Sequence, residues 1–270
     1  MNLLPKKELP DEEEGGYLAS VSDLMAGLVF VFIITLMVYV INFQLATQKV
    51  KQQQDVIKKE RDRLANVIDD LTNTRRLRAE MLLRIQKELE AKGLRVEVDT
   101  EHGILHLTED TLQFESGKAE LPDDQKPRLE IVSKVLANVL PCYTAAPPAD
   151  HKCNPRYAGK LESILIEGHT DNIPYTRGRF RDNWDLSAQR AMYTYRTMVM
   201  EMQPELSQLR NTEGFPIFGV AGYGEGRPRE GHRHERPVSD PANRRIDIRF
   251  IMTPPSDNVP PARELKEKGL

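Results

Sequence analysis

The stretch LASVSDLMAGLVFVFIITLMVYVINFQLA, Leu18 to Ala46, holds a single acid, Asp23, at the mouth of an apolar run. From Leu24 to Ile41 no residue carries a formal charge. With its mixed flanking turns the run reaches the roughly 20 residues that span a bilayer as a helix. Leu, Ile, Val, Phe and Met surround it without a polar face, so the expectation is a single transmembrane helix over residues 18–46. A signal peptide is the competing reading. The stretch before the run is acidic rather than basic, and Asn42 to Ala46 makes a poor small-residue cleavage site, which favours retention.

A carboxylate costs on the order of 3 kcal/mol at the centre of a membrane helix and less near its end, so Asp23 needs a reason to be there. In the bland reading Ser20, Ser22 and Asp23 cap the helix at the positive end of its dipole. In the sharper one Asp23 carries an ion, because desolvation favours a carboxylate neutralised by a proton or small cation.

The whole chain has 270 residues, 39% hydrophobic and 29% charged, which leaves room for one span plus ordinary soluble structure. A net charge of −3, with no aromatic and basic stripe, argues against direct nucleic-acid binding. The tail, residues 1–17, sets Lys6 and Lys7 against Glu8, Asp11, Glu12, Glu13 and Glu14 and is expected to be disordered and cytoplasmic. The opposite flank, Gln48 to Arg63, is basic, and a literal positive-inside count would place it in the cytoplasm instead.

Residues 47–92 contain no Pro or Gly and are rich in helix formers, so they are expected to form a helical stalk. Val50, Ile57, Leu64 and Leu71 recur every seven residues, but Gln53, Glu60 and Thr74 interrupt the pattern, leaving solvated and dimeric stalks both open. Beyond Gly93 the pattern changes to short alternating runs. Strands are expected at Leu94 to Val98, Gly103 to Leu107, Leu161 to Glu167, Phe215 to Tyr223 and Arg245 to Met252, and helices at Asp123 to Leu140 and Leu186 to Met202. Strands alternating with helices around one sheet make residues 93–252 an α/β sandwich, followed by a flexible tail at 253–270.

Cys142 and Cys153, the only cysteines, lie in one Pro-rich insert, Pro141 to Lys160. They can form a disulfide, remain idle thiols, or supply half a metal site with His151. No second ligand pair at zinc spacing follows, and the disulfide is preferred. It would need an oxidising compartment, which places the domain outside the cytoplasm against the flank-charge count.

Five motifs then occur in order: Phe114-Glu-Ser-Gly-Lys-Ala-Glu-Leu121, Ile166-Glu-Gly-His-Thr-Asp171, Asn183-Trp-Asp-Leu-Ser-Ala-Gln-Arg-Ala191, Gly222-Tyr-Gly-Glu-Gly-Arg-Pro228 and Asn243-Arg-Arg-Ile246. They resemble the motifs of OmpA-like peptidoglycan-binding domains over roughly residues 94–252. The resemblance implies that Asp171 and Arg190 clasp the ammonium and carboxylate of a stem-peptide diaminopimelate, with Asn183, Leu186, Asn243, Arg244 and Arg245 shaping the same pocket. Arg suits bidentate carboxylate contact and Asp accepts from an ammonium. The alternative is a structural Asp171–Arg190 salt bridge, with Asn183 as a helix cap. The segment between Asp171 and Asn183 is longer than in short family members, and a basic, His-containing loop, Arg227 to Arg236, precedes Asn243.

Ser22-Asp23-Leu-Met-Ala-Gly-Leu28 before the apolar run resembles the acid-bearing span of B subunits of ion-driven rotary motors, the MotB-like flagellar stators and their Zorya antiphage-defence relatives. That resemblance implies Asp23 as the ion carrier, a homodimer inside a pentameric ring of multi-span A subunits, and anchoring of the assembly to peptidoglycan. It also implies a single pass through the inner membrane with a periplasmic C-terminal domain. The acidic tail favours defence over motility. A proton is the expected ion for a lone carboxylate without other oxygen ligands. No other cofactor and no metal are expected, and the six histidines match no catalytic set, so no hydrolase activity is expected. A static tether between membrane and wall is the alternative of another class.

Overall fold

The computed structural model describes residues 13–107, 111–148, 152–175 and 178–254, with side chains from residue 21 onward. The tail before residue 13, His151 and the segment after residue 254 lie outside the described residues. The chain divides into two units, residues 1–66 and 67–270.

Helix α1 spans Glu13–Ala91. In the first unit it is the helix long and apolar enough to cross a membrane, with a mean hydropathy of 2.8 in its most apolar window. Leu24, Leu28, Phe30, Phe32 and Tyr39 are all well exposed, so the span offers lipid or neighbouring helices an apolar surface all round. The helix begins earlier than expected. Residues 13–17, assigned from sequence to a disordered tail, are helical, and Asp23 lies well inside the helix rather than at its start. The N-cap reading of Asp23 therefore fails, because the amides it would cap already sit in the i→i−4 ladder. Val50, Ile57 and Leu64 are exposed further along the same unit.

In the second unit Leu77, Met81, Leu82, Ile85 and Leu89 of α1 are buried in the main hydrophobic core. Their i, i+4 spacing makes one apolar stripe. The domain thus takes in part of the helix that the sequence reading gives to the stalk. Gly93, at φ +82, ends the helix, and Leu94 donates its amide back to Leu89 O at 3.0 Å. A glycine in the left-handed region closing this 6→1 bond is a Schellman-type stop. It engages the backbone of the expected first strand, which is reduced to β1, Glu97–Asp99, although Leu94 and Val96 remain buried.

Strand β2 spans Ile104–Leu107, α2 Lys126–Val139, β3 Leu161–Gly168, α3 Asn183–Tyr195, β4 Phe218–Gly222 and β5 Ile246–Met252. The sheet order is β1-β2-β5-β3-β4, with β3 and β4 parallel and the other pairs antiparallel. The expected α/β class is therefore observed. Beyond α3 the helix continues as a π-helical turn, Arg196–Met202. The last strand before the end of the sheet is shorter than expected because Asn211 Oδ1 accepts from the amides of Glu213 and Phe215, and Pro216 has no N–H to give.

Alternation along β5 separates two chemistries. Ile246, Ile248 and Phe250 enter the hydrophobic core, whereas Arg245, Asp247 and Arg249 share the other face. Helix α3 packs on β3 and β4 at their ends. Two glycines allow that approach: a Cβ on Gly168 would lie 2.0 Å from Ser187 O, and one on Gly222 would lie 2.5 Å from Ala188 N. Cys142 and Cys153 are joined in a disulfide, as preferred from sequence, which closes the insert after α2.

A fragment of residues 67–254 should unfold cooperatively on heating, followed by circular dichroism, whereas one of residues 93–254 should not, because it lacks the apolar stripe of α1. Within the longer fragment Leu82→Ala should cost about 2–5 kcal/mol in denaturant unfolding.

Candidate functional site

The end of β3 delivers His169, Thr170 and Asp171 into a turn, and the first turns of α3 face it. Asp182 caps α3, its Oδ1 accepting from the amide of Asp185 at 2.8 Å, while Asp185 Oδ2 accepts from the amide of Arg181. This reciprocal arrangement satisfies amides at the helix start. The cap is therefore Asp182 and not Asn183, which lies within the helix and donates to Ile173 O at 2.9 Å and Asp171 O at 3.4 Å. Asn183 ties the turn after β3 to the helix.

Between turn and helix lies a cleft of about 230 Å³ lined by Asp171, Asn183, Leu186, Arg190 and Arg244, with Ile173, Pro174 and Tyr175 among its apolar wall. Five of the seven residues assigned to the pocket from sequence meet here. Asn243 and Arg245 do not. Asn243 is buried behind the cleft, accepting from the amide of Arg229 at 2.8 Å and donating to His232 O at 2.9 Å. Arg245 is engaged with Asp247, its Nε 3.1 Å from each carboxylate oxygen, and donates to Arg227 O. Both act as braces for the loop before β5.

The expected Asp171–Arg190 face-off takes a different form. Asp171 Oδ2 pairs with Arg244 Nη1 at 2.8 Å. Arg190, only 1% exposed, has no carboxylate partner among the described residues. Its Nε donates to Lys118 O at 2.9 Å, Nη1 to His169 O at 3.3 Å and Nη2 to Glu115 O at 3.1 Å, and its guanidinium lies 5.1 Å from the centroid of Phe114. Three of five N–H donors are thereby used, all on backbone carbonyls. Burial lowers its pKa to about 10, against an upward pull from Asp171 and with a further downward push from Arg244. It stays charged at neutral pH.

Two guanidiniums thus share the cleft with one carboxylate. Two further polar atoms at the cleft residues, Thr170 Oγ1 and Arg244 Nε, are buried without a hydrogen-bond partner. Such atoms are costly unless something satisfies them. Such an arrangement can take an anionic group at the guanidiniums and a cationic one at Asp171.

Beneath the cleft lies a polar layer that the sequence reading missed. Asp247 Oδ1 is 2.7 Å from His106 Nδ1 and its Oδ2 is 3.1 Å from His169 Nε2, while Glu167 takes Arg249 Nε at 2.6 Å and Nη2 at 2.9 Å. Burial would raise the Asp247 carboxyl, but the hydrogen bond from His106, the close approach of His169 and the charge of Arg245 hold it well below the usual carboxylate range. Burial pushes His169 down, only partly offset by Asp247. The signal was the alternation of Arg245, Asp247 and Arg249 along a strand, which reads as a solvated face until other segments cover it.

The chain is 27% identical over 171 residues to "Motility protein B" of Bacillus subtilis (strain 168), a match covering 62% of this chain. The chain is homologous to motility protein B. The match spans 54% of that relative, so this MotB-like chain covers about half the length of the curated protein it resembles. Among solved structures, a putative MotB-like protein from Desulfovibrio vulgaris is 18% identical, covering 67% of this chain and 98% of that one at a TM-score of 0.46. The periplasmic domain of Helicobacter pylori MotB (residues 78-256) is 18% identical over 62% of this chain and 85% of its own, at a TM-score of 0.40. The cell wall anchor of the Pseudomonas aeruginosa T6SS is 21% identical over 64% of this chain and 96% of its own, at 0.39. No family profile matches the chain.

The sign of the pH dependence follows from the polar layer. His169 resists protonation in the fold, so the unfolded chain binds more protons below about pH 6.5 and stability falls with pH. Asp247 resists protonation of its carboxylate, so its contribution is present above about pH 4 and is lost at more acid pH. Thermal midpoints measured across this range should decline in both steps, and His169→Gln should remove the upper one.

Proposed function

We propose that this chain is the B subunit of an ion-driven rotary motor in the bacterial inner membrane, anchored to peptidoglycan through the cleft at the end of β3. The observation that carries the anchoring reading is Arg190, a buried cation whose hydrogen bonds among the described residues all go to backbone carbonyls. A stem-peptide carboxylate satisfies it, and the adjacent ammonium of a diaminopimelate centre is taken by Asp171. Thr170 Oγ1 and Arg244 Nε supply further polar contacts. Arg244, by pairing with Asp171, holds that carboxylate in position for a ligand ammonium.

The motor reading rests on Asp23, the one acid of the apolar span, held inside the helix where it caps nothing. Ion binding at Asp23 changes its preferred contact with a surrounding ring, so its loaded and unloaded states there differ in free energy. Two copies of the chain inside a ring of multi-span A subunits would then turn that ring while the wall-bound domains stay fixed. The exposed stripe of Val50, Ile57 and Leu64 suits pairing of the two B helices. The disulfide favours an oxidising periplasm for the C-terminal domain and leaves the N-terminus in the cytoplasm. The role is binding and force transmission rather than catalysis.

The acidic N-terminal flank favours a Zorya-type antiphage defence complex, and the similarity to a motility protein favours a flagellar stator as the second reading. Expression with the ring subunit separates them: restored phage resistance supports the first, restored swimming in a stator-deficient host the second.

Sedimentation of the full chain with isolated cell wall tests the anchor. Arg190→Ala should reduce retention by more than about tenfold, as expected for losing a charged hydrogen-bonding partner from a desolvated site; equal retention would remove Arg190 from the site. Asp23→Asn should keep wall retention unchanged and abolish function in cells, whereas a static tether would work equally well with Asn.

A further inference from the structure

The loop between β4 and β5 carries His232, His234 and Asp240, which the sequence reading assigns to no site. In the fold His232 Nδ1 lies 3.0 Å and His234 Nε2 2.6 Å from one and the same atom, Asp240 Oδ2. The three donor atoms lie within 4.8 Å of one another.

The group is held as a unit. Asp240 Oδ1 accepts from the amide of Ala242 at 3.0 Å, which leaves Oδ2 to the rings. Asn243 Nδ2 donates to His232 O at 2.9 Å and reaches Asp240 Oδ2 at 3.4 Å, bracing both ends of the loop. Asn172 donates to His234 O at 3.0 Å and to Arg236 O at 2.8 Å. The Asp240 side chain is 9% exposed and those of His232 and His234 are 44% and 31%, so the carboxylate forms the floor and the rings form a rim open to solvent.

Among the described residues no Lys or Arg is ion-paired with Asp240. Arg229 is ion-paired with Glu97, and Arg227 lies 3.6 Å over the ring of Tyr223. The other compact group, Glu167, His169 and Asp247, differs in this respect: Arg249 and Arg245 already neutralise its two carboxylates.

We propose that His232 Nδ1, His234 Nε2 and Asp240 Oδ2 form a binding site for a divalent transition cation of the zinc class. Two imidazoles and one carboxylate are a donor set for zinc rather than magnesium or calcium, and three protein ligands leave a fourth position for water on the solvent side. Without the ion, the ring nitrogens that face Oδ2 carry the protons that bond to it. On binding, each neutral ring carries its proton on its other nitrogen and the cation takes the place of the two hydrogen bonds. Ser239, in the same loop, accepts from Arg244 Nη1 at 3.0 Å, so the ion cross-links the segment that steadies one wall of the cleft.

The test is calorimetric titration of zinc chloride into the full chain, purified in detergent without an affinity tag and stripped with chelator. One equivalent should bind. His232→Ala and His234→Gln should each weaken binding by more than about 100-fold, since altering a group behind a ligand already costs about 10–100-fold. In chelator both variants should keep the circular dichroism spectrum of the unaltered chain, at a midpoint lowered by the hydrogen bond each has lost. His102, 2.7 Å from Asp99, gives the control: His102→Ala should bind zinc normally. Absence of saturable uptake, or uptake equal in all three variants, or its loss only in His102→Ala, overturns the proposal. None of these outcomes depends on wall binding, so the site stands or falls separately from the anchoring function.

Discussion

Glu167 and Asp247 face one another directly across the two central strands, both out of water. Like charges in that position repel, and the arrangement holds only because Arg249 pairs with the first and Arg245 with the second. Arg249 belongs to β5 and Arg245 immediately precedes it, each two residues from Asp247, so one short run of chain supplies an acid and the two bases that make its neighbours tolerable. His106 of β2 and His169, just past the end of β3, complete the layer. This polar layer fixes where β3 ends, and therefore where His169, Thr170 and Asp171 leave the sheet.

Above that layer the cleft is assembled from backbone as much as from side chains. Arg190 is tethered by carbonyls of Glu115, Lys118 and His169, drawn from two separate motifs of the sequence. Gly168 and Gly222 let α3 come close enough for the contact. Four of the five motifs therefore contribute geometry to one guanidinium, which explains why residues far apart in the chain read as a set.

Much of this was legible in the sequence. The apolar run with its lone acid, the order of helices and strands after Gly93, the cysteine pair and the grouping of Asp171, Asn183, Leu186, Arg190 and Arg244 all follow from composition, periodicity or motif. What was not legible depends on pairing in space. The stripe from Leu77 to Leu89 looks the same whether it meets a partner helix or its own domain. Arg244 rather than Arg190 takes Asp171 because the turn before β5 brings it there, and adjacent arginines in a motif give no hint of which one turns inward. Asn243 and Arg245 lie on either side of that arginine and serve as braces. Local sequence likewise could not separate Asp182 from Asn183 as the cap of α3, since both are good capping residues.

The burial of Arg190 has an outcome for the lifetime of the molecule. A ligand that meets only the folded cleft adds to folding stability in proportion to the logarithm of its occupancy. Copies whose cleft is occupied are therefore harder to open and to digest than copies whose cleft is not, so proteolysis removes the unoccupied population first. Turnover thus becomes a sorting step, in which occupancy of the cleft decides which copies persist.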